Sequence, residues 1–124
     1  MLSDNNIKVI FSREADEVLK ELKKVVDEEK TKDIESSIHQ TLSRSIERTI
    51  EMLKNNPFSG NQIPRRQHPK IYLDKYDADN IWRIELAKRW RLIYTITGNN
   101  LEIINFVMDI FNHKEYDQVF GYKH

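Results

Sequence analysis

Four side chains towards the C-terminal end of this chain have the types to do chemistry on an anion: Arg83, Glu85, Arg91 and His113. Two guanidiniums offer fixed positive charge, while a carboxylate and an imidazole can exchange protons near neutral pH. The residues around them decide where they point. From Ile81 to Ile96 the chain reads Ile-Trp-Arg-Ile-Glu-Leu-Ala-Lys-Arg-Trp-Arg-Leu-Ile-Tyr-Thr-Ile. Successive strand side chains face opposite sides of a sheet, so Trp82, Ile84 and Leu86 share one face while Arg83 and Glu85 take the other. In the next strand Trp90, Leu92, Tyr94 and Ile96 alternate with Arg91, Ile93 and Thr95. The apolar sets serve a core, and a core has no need of arginines placed regularly on the opposite face.

The elements that must hold these residues follow from periodicity. Three strands are expected near 81–87, 90–97 and 101–109, with Thr97-Gly-Asn-Asn100 as the hairpin turn between the last two. Lys8 to Phe11 is a short β-like run, ended by Ser12 as a helix N-cap. Beyond it Ala15, Val18, Leu19, Leu22, Val25 and Val26 recur at helical spacing, and that helix should end near Glu29 to Lys32. A second helix is expected from Asp33, with Ile34, Ile38, Leu42, Ile46, Ile50 and Leu53 down one stripe, stopped by Asn55-Asn-Pro-Phe-Ser-Gly60. The two helices read as an antiparallel hairpin whose stripes pack on the sheet. Residues 61–80 read as an irregular loop carrying Pro64, Pro69, Arg65, Arg66, His68, Lys70, Tyr72 and Tyr76. The tail from Asn112 to His124 folds back as a short helix or an extended cap, pinned by Tyr116, Phe120 and Tyr122.

Composition bounds the function classes. At 124 residues the chain is expected to form a single domain, with 39% apolar residues sufficient for a single core. Charged residues make up 32% and mean hydropathy is −0.69, so a strongly solvated surface and a soluble, cytoplasmic protein are expected. No apolar run approaches the roughly 20 residues needed to span a bilayer, and residues 1–6 lack the regions of a signal peptide. The absence of cysteine excludes disulfides, a thiolate nucleophile and Cys-ligated zinc. His39, His68, His113 and His124 are scattered, without metal-ligand spacing. Net charge is formally zero but unevenly spread, with an acidic stretch from Glu14 to Glu35 and a basic one from Arg65 to Arg91. The basic stretch is either an anion-binding face or an ordinary solvated surface.

The order strand, two helices, three antiparallel strands, together with Trp90-Arg-Leu-Ile-Tyr-Thr-Ile96 and the Asn56-Pro-Phe-Ser-Gly60 loop, resembles the RelE/ParE superfamily of toxins from type II toxin–antitoxin systems. The resemblance implies an α+β fold: a short N-terminal strand, a helical hairpin over 12–55, a loop over 56–80, a sheet over 81–110 completed by three C-terminal strands, and a tail over 111–124. Through the mRNA interferases of the superfamily it also implies an endoribonuclease without cofactor or metal. In that chemistry the ribose 2′-hydroxyl attacks the adjacent phosphate, leaving a 2′,3′-cyclic phosphate and a 5′-hydroxyl, and DNA is spared because it lacks the nucleophile. Matched to the family pattern, Arg91 is the motif arginine that clamps phosphate and Arg83 the basic residue of the preceding strand. His113 falls where relatives place an arginine or histidine. Glu85 falls where some relatives carry lysine, so its assignment as base rests on chemistry. Tyr116 or Tyr122 is the counterpart of a base-stacking tyrosine, and Arg65, Arg66 and Lys70 form a basic loop suited to phosphate contact. The implied partners are a cognate antitoxin, binding as part of a dimer or heterotetramer, and mRNA, free or on the ribosome, with no membrane involved.

The same residues admit structural readings. Arg83, Glu85 and Arg91 could form a cross-strand ion-pair ladder on an exposed sheet face, contributing ~0–1 kcal/mol per pair. His113 could pair with Asp109 four residues earlier if that segment is helical. Zero net charge and a long tail also fit a non-catalytic module of this fold: a ParE-like gyrase inhibitor or a partner-binding domain.

Overall fold

The computed structural model describes residues 6–121. Strand β1 (Ile7–Phe11) leads into helices α1 (Arg13–Thr31) and α2 (Ile38–Asn55), followed by β2 (Asn61–Gln62) and α3 (Lys70–Tyr76). Strands β3 (Trp82–Glu85), β4 (Arg91–Gly98) and β5 (Ile103–Phe111) then precede the terminal helix α4 (His113–Phe120). The strands form one mixed sheet in the order β1-β5-β4-β3-β2, with β1 parallel to β5 and every other pair antiparallel. This is the expected α+β architecture, with a fifth strand at one edge.

Helices α1 and α2 cover one face of the sheet. Ala15, Leu22 and Val26 of α1 and Leu42, Ile46 and Leu53 of α2 pack with Ile84, Leu86, Leu92, Tyr94, Val107 and Ile110. Each large aliphatic side chain buried there stabilises the fold by roughly 1.5–3 kcal/mol. Ser12 begins α1 as expected: its Oγ accepts from the Ala15 N–H and donates to the Met108 carbonyl, so one hydroxyl caps the helix and ties it to β5.

The start of α2 differs from expectation. Asp33 adopts a left-handed conformation, and the helix begins five residues later behind Ser37, whose side chain accepts from the Gln40 N–H. The Glu29 carboxylate explains the shift. It accepts from Ser37, Gln40 and the His39 ring, clipping the end of α1 to the start of α2. The Ser37 hydroxyl leads the contacts that lower the Glu29 pKa. Ile34 and Ile38 consequently lie outside the packed stripe and are exposed.

The second difference is larger. The stretch 61–80 is not structureless, and the other face of the sheet is not open. Helices α3 and α4 build a second core there, in which Tyr72 and Tyr116 pack with Ile63, Ala78, Ile81, Ile93, Met108 and Phe111. Helix α3 puts its tyrosines inward and leaves Ile71 and Leu73 exposed. The Tyr72 hydroxyl donates to Asp109 at 2.8 Å, and Tyr76 donates to Glu14 at 2.6 Å while its ring meets Phe106 edge-on. The reading of His113 as a helical neighbour of Asp109 fails, because Asp109 lies in β5 and His113 opens α4.

Two polar devices set the edge of the sheet. Asn80 acts as an extra rung beyond β3: its amide donates to the Ile96 carbonyl and its oxygen accepts from Ile96 N–H and the Trp82 indole. The Asn56-Pro-Phe-Ser-Gly60 loop is held by Tyr94, whose hydroxyl donates to the Pro57 carbonyl at 2.6 Å and accepts from Gly60 N–H at 3.1 Å. Burial pushes the Tyr94 pKa up to about 12. At Gly60 a Cβ would stand 2.8 Å from that hydroxyl and 3.0 Å from the Arg83 carbonyl, so only glycine fits. Replacing Tyr94 by Phe leaves the buried Pro57 carbonyl unpaired and should cost roughly 1–3 kcal/mol. Urea unfolding checks this, and a loss below about 0.5 kcal/mol would show that the loop is held by packing alone.

Candidate active site

The strand registers decide which candidates meet. Glu85 lies opposite Arg91, and Arg91 lies opposite Phe111, so one row crosses β3, β4 and β5. His113 follows that row by two residues, at the first position of α4 behind the N-cap Asn112. Arg83 stands two residues before Glu85 on the same face. Arg83, Glu85 and Arg91 therefore share the face away from α1 and α2, and His113 opens the helix that follows the last residue of the row.

Tyr116 is at the centre of this group. It is 2% exposed, its hydroxyl accepts from Arg83 Nη1 at 2.9 Å, and both guanidiniums lie near its ring, Arg83 at 5.6 Å and Arg91 at 5.3 Å from the centroid. Phe120 stacks on the same ring at 4.4 Å and Phe111 meets it edge-on at 6.0 Å. The expectation that Tyr116 stacks on a nucleobase is thus corrected: the ring is enclosed by its own protein and positions the arginines. Tyr122, the other candidate, lies outside the described residues.

The arginines are only partly neutralised. Arg91 keeps 16% of its side-chain surface exposed, and its Nε lies 3.8 Å from a Glu85 carboxylate oxygen, too far for a hydrogen bond. Arg91 Nη1 donates to the Arg89 carbonyl. The Nε groups of both Arg83 and Arg91 are buried and meet no hydrogen-bond partner among the described residues. Glu85 itself is 63% exposed at its side chain. One rung of the expected cross-strand ion-pair ladder is present, Arg91 with Glu85, its arginine mostly enclosed and its carboxylate solvated.

The basic loop does not join this site. From β2 the chain runs past Ile63, which bonds to Ile81, and Arg65 then donates to the Asp79 carbonyl. Arg65, Arg66 and Lys70 are exposed at the opposite end of β3 from Glu85. Among the described residues no three His, Asp or Glu side chains gather where a metal could be held, and no helix is long and apolar enough to cross a membrane.

Sequence reasoning missed Lys88 and Arg89. Both are exposed and form the tip of the β3–β4 turn, beside Arg91. Trp90 N–H bonds back to the Ala87 carbonyl, and Lys88 and Arg89 have φ of +60° and +63°. Two consecutive positive φ values are the mark of a type I′ turn, whose usual residues are Asn and Gly. Placing ordinary side chains there costs roughly 1–2 kcal/mol per residue. The signal available in the sequence was the polar Lys-Arg pair breaking two apolar strands.

A sheet with a helical hairpin on one face, a strand order closed by the parallel β1–β5 pair, and arginines on the last antiparallel strands define a toxin of the RelE/ParE superfamily. The family model described as the ParE toxin of the type II toxin–antitoxin system, parDE, matches residues 9–115, and the chain belongs to that family. It is accordingly the toxin half of a type II pair, with a cognate antitoxin as its partner. Among solved structures, the "YoeB/ParE toxin from Agrobacterium tumefaciens" has a similar fold, with a TM-score of 0.55 at 15% identity over 86% of this chain and 98% of that one. No curated protein matches the sequence significantly.

The clasp that holds α3 beside this site has an acid-dependent side. Hydrogen bonds from Tyr76 and Lys75 hold the Glu14 pKa down, from an ordinary 4.5 to about 2. Burial acts the other way at Asp109 and raises its pKa, although Tyr72 donates to it, and burial also raises Tyr72 strongly. A depressed carboxylate stabilises the fold above its unfolded pKa and loses that contribution as pH falls through the folded value. A raised one has the opposite sign, so Asp109 gains stability on acidification and partly masks Glu14. Urea midpoints between pH 4.5 and 2 should fall less steeply for Glu14→Gln than for the wild type. In an Asp109→Asn background the Glu14 slope should steepen. Parallel wild-type and Glu14→Gln curves would show that the clasp is absent in solution.

Proposed function

We propose that this toxin is a metal-independent endoribonuclease that cuts mRNA in the cytoplasm, where messages are translated. The observation that supports it most directly is the row Glu85–Arg91–Phe111, which sets a carboxylate beside an arginine, with a histidine two residues past its end; in this reading they serve as base, phosphate clamp and acid. Arg91 and Arg83 hold the scissile phosphate and stabilise the negative charge that builds on its oxygens. Glu85, solvated and beside the clamp, takes the proton from the ribose 2′-hydroxyl as that oxygen bonds to phosphorus. The bond from phosphorus to the 5′-oxygen breaks, and protonated His113 gives its proton to the leaving oxygen. The products are a 2′,3′-cyclic phosphate and a 5′-hydroxyl. Tyr116 takes no part in the bond changes; it is a positioning residue for Arg83.

A second reading is favoured by the enclosure of Tyr116: a toxin that binds and blocks a protein target such as DNA gyrase without cutting RNA. In that case the arginines are part of the packing around α4. Controlled expression without antitoxin, with RNA ends mapped, separates the two. Under the nuclease reading new cuts appear inside messages with 5′-hydroxyl ends, and Arg91→Ala lowers their rate by a factor of about 10²–10³, the order lost with one charge-stabilising donor. His113→Ala and Glu85→Gln each lower it by about 10²-fold or more, while partner binding persists. Growth arrest with intact RNA and signs of DNA damage, equally strong in Arg91→Ala, would overturn the nuclease reading.

A further inference from the structure

The β3–β4 turn pairs two features with no structural need for each other. Its backbone demands left-handed conformations at Lys88 and Arg89, which glycine or asparagine adopts with little strain. Its side chains are instead two long cations, both exposed, at a tip fastened on both sides. The Ala87 N–H donates to Ser45 Oγ of α2, Leu86 N–H donates to the Trp90 carbonyl, and the Arg89 carbonyl accepts from Arg91 Nη1. The turn is therefore a rigid mount whose own carbonyl helps aim the phosphate clamp. Neither cation has an ion-pair partner among the described residues within salt-bridge distance. Strained side chains persist where the surrounding structure enforces them, and such residues gather at ligand-binding sites.

We infer that Lys88 and Arg89 are substrate-binding residues that grip the RNA backbone next to the scissile phosphate, extending the Arg83–Arg91 site over the rim of the sheet. The inference rests on the nuclease reading and deepens it. Phosphates flanking the cleaved one supply the negative charge, and the two cations neutralise them without reading the bases, so the contribution is to affinity and register. The α4 side of the arginines is closed by Tyr116 and Phe120, whereas Glu85 and the turn are exposed, so a strand of RNA reaches the clamp across this rim.

The test uses the full chain and three proteins: wild type, the double variant K88G/R89G, and the charge-keeping exchange K88R/R89K. Two readouts are taken, the rate of message cutting on controlled expression and the thermal unfolding temperature of the purified protein. Glycine relieves the backbone strain, so K88G/R89G should unfold at or above the wild-type temperature while cutting about tenfold or more slowly. The exchange should cut within about threefold of wild type, because charge and not one head group is needed. If K88G/R89G is at least as stable and cuts at the wild-type rate, the turn is merely strained and the inference falls while the nuclease reading stands. If K88G/R89G is less stable than wild type and the exchange also loses activity, the side chains serve the fold and the inference again falls. If the wild type makes no cuts, the nuclease reading fails and carries this inference with it.

Discussion

The phase of β5 is the constraint on which both faces of this molecule depend. Its pairing with β4 slips between Ile93 and Tyr94, so that Ile93 faces Asp109, Tyr94 faces Val107, and Met108 is left opposite nothing. Strict alternation would put Val107, Asp109 and Phe111 on one side. The bulge resets the count: Val107 and Ile110 face the helical hairpin, while Met108 and Phe111 enter the second core and Asp109 meets Tyr72. Without that extra residue Asp109 could not anchor α3, and Phe111 could not support Tyr116 beneath the arginines. Two helices and the candidate site thus rest on one irregular residue in a central strand.

Burying both faces of β4 and β5 changes what the arginines can be. On a one-sided sheet they would be solvated surface groups, each worth little. Here α3 and α4 turn that surface into an interior, and both arginines hold their guanidinium carbons within 5.6 Å of the Tyr116 ring centroid. Contacts between a guanidinium and an aromatic face contribute roughly 0.5–2 kcal/mol, more as water is excluded. The same exclusion raises the cost of any N–H left unpaired. The packing therefore supports the arginines and at the same time leaves them in want of an acceptor.

Legibility followed the strength of the periodicities. Helices with full 3.6-residue stripes and strands with clean alternation were readable, including the faces of Arg83, Glu85 and Arg91 and the capping role of Ser12. The onset of α2 was not, because Ile34 continues the apolar stripe numerically while Asp33 breaks the backbone and the real cap depends on a carboxylate eight residues away. Helix α3 was hidden by inversion: its apolar Ile71 and Leu73 are outside and its tyrosines inside, satisfied by Asp109 and Glu14, which lie 37 and 62 residues away in sequence. Tyr116 was expected against a nucleobase, since nothing local reveals that Phe111 and Phe120 enclose it. Lys88 and Arg89 were overlooked because turn chemistry directs attention to glycine and asparagine, and a strained Lys-Arg pair carries no propensity signal.

The arrangement around Tyr116 also separates two roles that catalysis on phosphates usually requires of the same residues. An arginine that must bind an anion from solution pays a reorganisation cost if it has to be ordered at that moment. One already fixed against a ring does not. Tyr116 fixes Arg83 through its hydroxyl and both guanidiniums through its ring, and the Arg89 carbonyl fixes a third donor, Nη1 of Arg91. What remains unfixed are the two Nε groups, which no residue in the described chain satisfies. The geometry of the two guanidiniums is thereby supplied by the protein before any partner arrives.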